Sequence, residues 1–163
     1  MWPFTQETKK REYVRVCNVF CCREKDRAIV ASVFNHGGLF AEKPGGTTTC
    51  ALSNTQELGG LVKNALSACE YEENFNYSES KRNDWPAFQA SGYRTVKSFE
   101  ADFVRFLVRG VNESNLFFEV QGPEIGDHSL RISITINAFA DEGEFGLALA
   151  YVLEKFHKFR EMK

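Results

Sequence analysis

Residues 129–137 (SLRISITIN) alternate strictly between apolar and polar side chains. The apolar positions are Leu130, Ile132, Ile134 and Ile136, and the polar positions are Arg131, Ser133, Thr135 and Asn137. Because successive side chains of a strand point to opposite faces, this segment predicts a strand with one buried and one wet face. Such strands are typical of antiparallel sheets, whereas parallel strands are buried on both faces. The chain is therefore predicted to build an antiparallel sheet.

Other segments rich in β-branched and aromatic residues extend this sheet. Further strands are predicted at residues 13–22, 27–34, 39–41, 47–52, 102–109 and 116–121. Turn residues separate several of them, because Asn, Gly and Pro favour the backbone conformations of turns. Asn35–Gly38 and Pro44–Gly46 are predicted as turns, and Gly122-Pro123 is predicted to end the strand that precedes it.

Two amphipathic helices are predicted from apolar positions that recur on one helical face. The first runs to Cys69, with Ser53, Asn54 or Thr55 as its N-cap and Glu57 in its first turn. Gly59-Gly60 would weaken this helix, and close packing against the sheet is one reason for small residues there. The second helix covers about residues 142–160, and its apolar face carries Phe145, Ala148, Leu149, Val152, Phe156 and Phe159. Asp141 and Glu144 have the spacing of a capping box at its start.

The predicted fold class is α+β, with a single antiparallel β-sheet of about six or seven strands. The two amphipathic helices are expected to pack on one face of this sheet. A chain of 163 residues is expected to form a single globular domain spanning 1–163. No apolar stretch reaches the length of a membrane-spanning helix, and the N-terminus does not resemble a signal peptide. A cytoplasmic location without membrane contact is therefore expected.

A polar segment at about residues 70–85 (EYEENFNYSESKRNDW) interrupts this pattern. It shows neither helical nor strand periodicity, and loops of this length in a compact domain are often functional. Carboxylates surround several aromatic side chains in it. Aromatic side chains anchor protein interfaces, and carboxylates around them steer a basic partner. The segment predicts either a solvated loop or an acidic docking surface.

Catalytic and metal-binding patterns are weak in this sequence. Cys17, Cys21 and Cys22 have spacings seen at zinc sites, but no second ligand pair follows, so buried thiols are the favoured interpretation. No motif links His36, His128 or His157 to a nucleophile. The sequence therefore predicts no catalytic residue, no metal site and no cofactor. A small enzyme using His36 or Asp127-His128 remains an alternative.

The charge balance indicates which kind of partner to expect. The formal net charge is −2, and the only basic cluster is the short run Lys9-Lys10-Arg11. Nucleic-acid-binding domains carry a basic face. The composition therefore favours a protein partner and does not favour direct contact with nucleic acid.

Two local patterns resemble a known group of proteins. One is the opening Met1-Trp2-Pro3-Phe4 followed by a charged stretch, and the other is WPAFQASGYRTVKSFE at Trp85–Glu100, followed by strands and a terminal helix. Together they resemble the small immunity proteins of bacterial contact-dependent growth inhibition and related polymorphic toxin systems. The resemblance covers most of the chain in layout.

This resemblance implies a cytosolic protein that binds the C-terminal toxin domain of a cognate effector and blocks its active site. Many such toxins are basic nucleases, to which an acidic inhibitor surface is suited. The predicted partner-binding residues are Glu70, Glu72, Glu73, Tyr77, Glu79, Asp84 and Trp85. A small-molecule-binding regulatory module is a further alternative. The sequence leaves the oligomeric state open.

Overall fold

One antiparallel sheet forms the centre of the molecule, as the sequence predicts. The computed structural model describes residues 15–36, 38–74, 76, 85–125 and 128–161. The strands are β1 (Val16–Cys22), β2 (Arg27–His36), β3 (Leu39–Ala51), β4 (Glu70–Tyr71), β5 (Val104–Gly110), β6 (Asn115–Ile125) and β7 (His128–Asn137). The order across the sheet is β3-β2-β1-β5-β6-β7, and the short β4 pairs in parallel with β2. The α+β class and the strand number are confirmed.

Two glycine-containing segments that were predicted to end strands lie within strands as bulges. Ala31 on β2 pairs with Thr47, whereas Val33 pairs with Glu42, so β3 bulges outward at residues 43–46 and then continues. Gly45 adopts a φ of 71°, which an L side chain rarely tolerates. Likewise, β6 carries a register shift between Gln121 and Glu124 and continues to Ile125. The turn at Pro44–Gly46 and the strand end at Gly122-Pro123 were therefore wrong predictions.

The two long helices, α1 (Thr55–Ser67) and α4 (Glu142–Glu161), pack on one face of the sheet. Asn54 caps α1 through its Oδ1, which accepts from the Glu57 N–H at 3.3 Å. At the start of α4, Asp141 and Glu144 each accept a hydrogen bond from the other's backbone N–H, at 2.8 and 3.1 Å. Both predicted caps are confirmed. In the part of the chain that the structure describes, no helix is long and apolar enough to span a membrane.

Small residues bring α1 and α4 into backbone contact. A Cβ atom added at Gly59 would lie 1.7 Å from the carbonyl oxygen of Glu142, and one at Gly146 would lie 2.0 Å from that of Thr55. Gly60, next along α1, meets only the flexible carboxylate of Glu142 at 3.3 Å or more. The glycines of α1 therefore serve packing against α4, not against the sheet as the sequence suggested.

A second layer covers the opposite face of the sheet. It consists of α2 (Pro86–Ser91) and α3 (Val96–Asp102), which pack against Phe20, Cys22 and Ile29. The two amphipathic helices lie on one face as expected, whereas the two short helices on the opposite face were not predicted. The physical reason is visible in β1, whose side chains are buried on both faces and so require cover on both.

Candidate interaction surface

The short strand β4 begins the polar segment at 70–85 and attaches it to the sheet. Glu70 pairs with Phe34 and Tyr71 with Asn35. The pairing of β1 with β2 reaches only as far as Ser32, so β4 lies beside the part of β2 that extends past this point. The chain therefore leaves α1 and enters the sheet before the polar segment continues.

Hydrogen bonds hold the residues that follow. The Glu72 N–H donates to the carbonyl oxygen of Asn35 at 3.0 Å. Nδ1 of His36 lies 2.6 Å from the carbonyl oxygen of Glu72, where a protonated Nδ1 donates. The Asn74 N–H donates to Oε1 of Glu72 at 3.3 Å. Residues 70–72 are thus fixed to the end of β2 mainly through their backbone groups.

The side chains of this region form an acidic strip, which we define as Glu70, Glu72 and Glu73. The side chain of Glu70 is 68% exposed, and Glu73 is exposed, whereas Glu72 is half-buried. Tyr71 between them is 39% exposed. Lys43 approaches Glu70 at 2.9 Å and offsets part of the negative charge. An ion pair with so exposed a carboxylate contributes little to stability, so Glu70 remains accessible to a partner.

The other predicted partner-binding residues do not join this strip within the described structure. Tyr77, Glu79 and Asp84 lie outside the described residues. Trp85 is half-buried on the second layer, where its ring lies 5.5 Å from that of Phe20 and 5.0 Å from that of Phe99. Phe20 pairs with Ile29, which is five residues before Phe34 on β2 and therefore about 17 Å along the strand from Glu70. The role of Trp85 at an interface stays a prediction.

Glu42, a residue that the sequence reasoning missed, secures the far end of the polar segment. Its Oε2 accepts from the Ala87 N–H at 2.9 Å, at the start of α2. Its Oε1 accepts from Nδ2 of Asn18 at 3.0 Å, and Asn18 in turn accepts from Arg105 at 3.1 Å. One carboxylate thus ties α2 to three strands. Only the tertiary structure shows this link, because the bulge in β3 sets which face of the sheet Glu42 occupies.

Other carboxylates contribute unequally to the negative surface. Glu113 lies in the turn between β5 and β6. This turn follows Arg109, which pairs with Val16, so it lies at the end of the sheet where β1 begins. That places Glu113 at the same end of the sheet as the acidic strip. Glu119 lies further along β6, where its carboxylate faces Arg131 at 3.7 Å. Of these two residues, only Glu113 is placed to extend the strip.

The cysteines form part of the packed interior. Cys17 and Cys21 are fully buried between the sheet and the long helices, and burial raises the pKa of both thiols well above the ordinary range. Burial likewise raises the pKa of Cys50 to about 11, with a smaller contribution from Glu57. Thiolates are the reactive form, so these groups are poor nucleophiles at neutral pH. Over the described ranges, no group of three or more His, Cys, Asp or Glu side chains is arranged to hold a metal ion.

The buried thiols predict that stability falls at alkaline pH. Below the ordinary thiol pKa of about 8.5, both the native and the unfolded chain keep their thiol protons. Above it the unfolded chain releases them, while Cys17 and Cys21 in the native state retain theirs. The free energy of unfolding should then fall by about 1.4 kcal/mol per pH unit for each of these thiols. Urea unfolding at a series of pH values between about 8 and 10 measures the slope.

Single substitutions test whether these cysteines cause the slope. Cys17→Ala and Cys21→Ala should each make it shallower by about the contribution of one thiol. The slope is the informative quantity, because the lost side-chain volume lowers stability equally at every pH. An unchanged slope in both variants would show that other groups cause the alkaline loss.

Comparisons with known proteins support the fold and leave the function open. No protein-family model matches the chain. A search of curated proteins also found no match. Among solved structures, the chain is similar to a protein of unknown function, NMB0488 from Neisseria meningitidis, with a TM-score of 0.68 and 15% identity. The similarity covers 88% of this chain and 96% of the other. At this identity the similarity shows a shared fold.

Proposed function

We propose that this protein is a bacterial cytosolic immunity protein that binds the toxin domain of a cognate effector and neutralises it. The observation that carries the proposal is the acidic strip, whose exposed carboxylates are attached to a rigid sheet through β4. The resemblance of Trp85–Glu100 and of the N-terminus to immunity proteins supplies the class of partner. The strip supplies the chemistry by which such a partner is recognised.

The way the strip is held favours binding. The backbone of Glu70 and Glu72 is held by the strand pairing with β2, by the carbonyl oxygen of Asn35 and by the His36 side chain, so ordering this backbone on association costs little further entropy. Tyr71, which follows Glu70 on β4 and points to the opposite face of the strand, is partly exposed and offers an aromatic contact of the kind that anchors interfaces. A preorganised acidic strip is suited to a basic protein surface.

Inhibition by such a surface follows from simple electrostatics. A toxin that cleaves nucleic acid must present positive charge where its phosphates bind. Carboxylates at Glu70, Glu72 and Glu73 would occupy the positions of those phosphates and exclude the substrate. The same charges would accelerate encounter between the two proteins, since complementary fields steer association.

Neutralising the strip should slow association with the toxin domain. In Glu70→Gln/Glu72→Gln/Glu73→Gln, side-chain shape is kept and the backbone bonds to β2 remain. We expect the association rate at low salt to fall about tenfold, with a weaker dependence on ionic strength, because steering is lost. The toxin domain to use is the C-terminal region of an effector encoded directly upstream of this gene. Stopped-flow or surface plasmon resonance at several salt concentrations measures both quantities.

A matched control tests whether the position of the removed charges matters or only the net charge of the protein. Glu24→Gln/Glu100→Gln/Glu161→Gln removes the same number of carboxylates elsewhere on the molecule and should leave the rate nearly unchanged. Equal effects of both variants would place the docking surface outside the strip. Co-expression of the wild-type chain with that toxin domain tests the proposal as a whole. Failure to restore growth would overturn it.

A further inference from the structure

The two edges of the sheet differ in how well they are protected against pairing with another strand. On β3, the bulge at residues 43–46 interrupts the edge with Lys43, Pro44 and two glycines. Bulges, prolines and lysines are the usual devices that keep an edge strand from pairing with another chain. β7 has no bulge, proline or lysine, and its one arginine, Arg131, lies 3.7 Å from Glu119 on the neighbouring strand β6. It is a regular strand of ten residues, and the register shift beside it lies in β6.

The edge of β7 is also incompletely covered. Among the described residues, β6 is the only strand that pairs with β7, so one row of its backbone groups faces outward. Ile132, Ile134 and Ile136 pack against the core beneath α4 but remain only partly buried. On the other face of the strand, Ser133 and Thr135 are exposed. β7 therefore offers both unpaired backbone groups and apolar area that one more strand would cover.

We propose that the occupant of this edge is β7 of a second copy, paired antiparallel around a two-fold axis at Ser133. Pairing around Ser133 brings each apolar position of the strand opposite another apolar position. The pairs are Leu130 with Ile136, Ile132 with Ile134, Arg131 with Thr135, Ser129 with Asn137, and Ser133 with its own copy. No like charges meet. The sequence of the strand is thus complementary to itself.

Neighbouring registers match less completely. A shift of one residue in the pairing would place isoleucines opposite polar residues, because strand side chains alternate between faces. An axis at Ile132 would put His128 opposite Ile136. An axis at Ile134 would keep apolar positions opposite each other, but it would shorten the overlap of the two strands and put Leu130 opposite the smaller Ala138. A two-fold axis on an antiparallel edge is the simplest closed assembly for identical chains. The resulting sheet would run through both copies.

This surface is separate from the acidic strip. The strip is attached to β2, whereas β7 lies at the edge of the sheet with β1, β5 and β6 between the two. A dimer joined at β7 would leave both strips available and present two toxin-binding surfaces. The pairing can be tested without a toxin, so its failure and that of the proposed function are distinguishable.

Cross-linking through the axis tests the arrangement directly. In Ser133→Cys, the two introduced thiols face each other at the Cβ separation of a cross-strand pair, about 5 Å. A short bismaleimide should then give a covalent species of twice the 18.5 kDa chain mass on a denaturing gel. Thr135→Cys and Thr49→Cys are the controls, because Thr135 lies opposite Arg131 in this pairing and Thr49 lies on the other edge of the sheet. Neither variant should give more cross-linked product than the wild type. Equal yields from all three variants would overturn the proposed axis.

A second measurement does not depend on an introduced thiol. Sedimentation equilibrium of the full chain should show a monomer–dimer equilibrium, and Ser133→Lys should weaken the dimer about fivefold through like charges across the axis. Ser133→Glu should do the same, and a mixture of the two variants should associate more tightly than either alone. Thr49→Lys should leave the equilibrium unchanged. A wild-type chain that stays monomeric at all concentrations would overturn the proposal.

Discussion

Gly59→Ala is expected to lower the free energy of unfolding by about 3 kcal/mol, although alanine is the better helix former. The added methyl group would lie 1.7 Å from the carbonyl oxygen of Glu142, far inside van der Waals contact. That oxygen belongs to the backbone of α4 and cannot rotate away. The two helices must therefore separate, which loosens the core that both share with the sheet. Urea unfolding followed by circular dichroism measures the loss.

Gly60→Ala is the matched control on the same helix. Its methyl group would meet only the flexible side chain of Glu142 at 3.3 Å or more. Since alanine favours the helix by about 1 kcal/mol over glycine, this variant should be as stable as the wild type or more so. Gly146→Ala, at 2.0 Å from the Thr55 carbonyl oxygen, should behave like Gly59→Ala. Stability of Gly59→Ala close to that of Gly60→Ala would contradict the close crossing of α1 and α4.

Phe99→Ala is expected to remove about 3–5 kcal/mol of stability, the usual cost of deleting a buried phenylalanine ring. Phe99 is 1% exposed and lies at the centre of the second layer. Five aromatic rings surround it at centroid distances of 4.9–6.4 Å, namely Phe20, Trp85, Phe88, Tyr93 and Phe103. The cavity would remain beneath α2 and α3, which have few other apolar contacts to replace the lost ones.

Two readouts distinguish local from global effects of this change. In a Trp2→Phe background, Trp85 is the only tryptophan and reports on its contact with Phe99. Its emission should shift to longer wavelength in Phe99→Ala as the ring becomes more hydrated. Phe139→Ala removes a ring that is 78% exposed and should alter neither emission nor stability. If both phenylalanine variants unfold at the same urea concentration, the second layer does not depend on Phe99.

The elements that could be predicted from the sequence are those whose signals are local. β7 alternates between apolar and polar residues over positions 129–137, and α1 and α4 carry caps whose residues contact each other within one turn. The short helices α2 and α3 were missed, since six or seven residues are too few to show a periodic apolar face. The second layer could have been predicted from β1 instead. This strand is apolar on both faces, which requires cover on both sides of the sheet.

The candidate site was predictable only in part. The acidic character of residues 70–73 is visible in the composition, and the structure adds the pairing of β4 that holds them. The burial of Trp85 against Phe20 was not predictable, because it depends on a contact between residues 65 positions apart. The role of Glu42 was hidden for the same reason, since the bulge in β3 sets its position.

The hydrogen bonds at Glu72 and at Ala87 have a consequence for how this chain can evolve. They attach the two ends of the polar segment separately, one to Asn35 and His36 and the other to Glu42. Neither attachment uses a side chain from within the segment beyond Glu72. Doubling the number of residues between two fixed ends of a chain costs only about 0.6 kcal/mol of closure entropy, so insertions between these two attachments need not disturb the scaffold. A lineage could therefore change this stretch while conserving the fold.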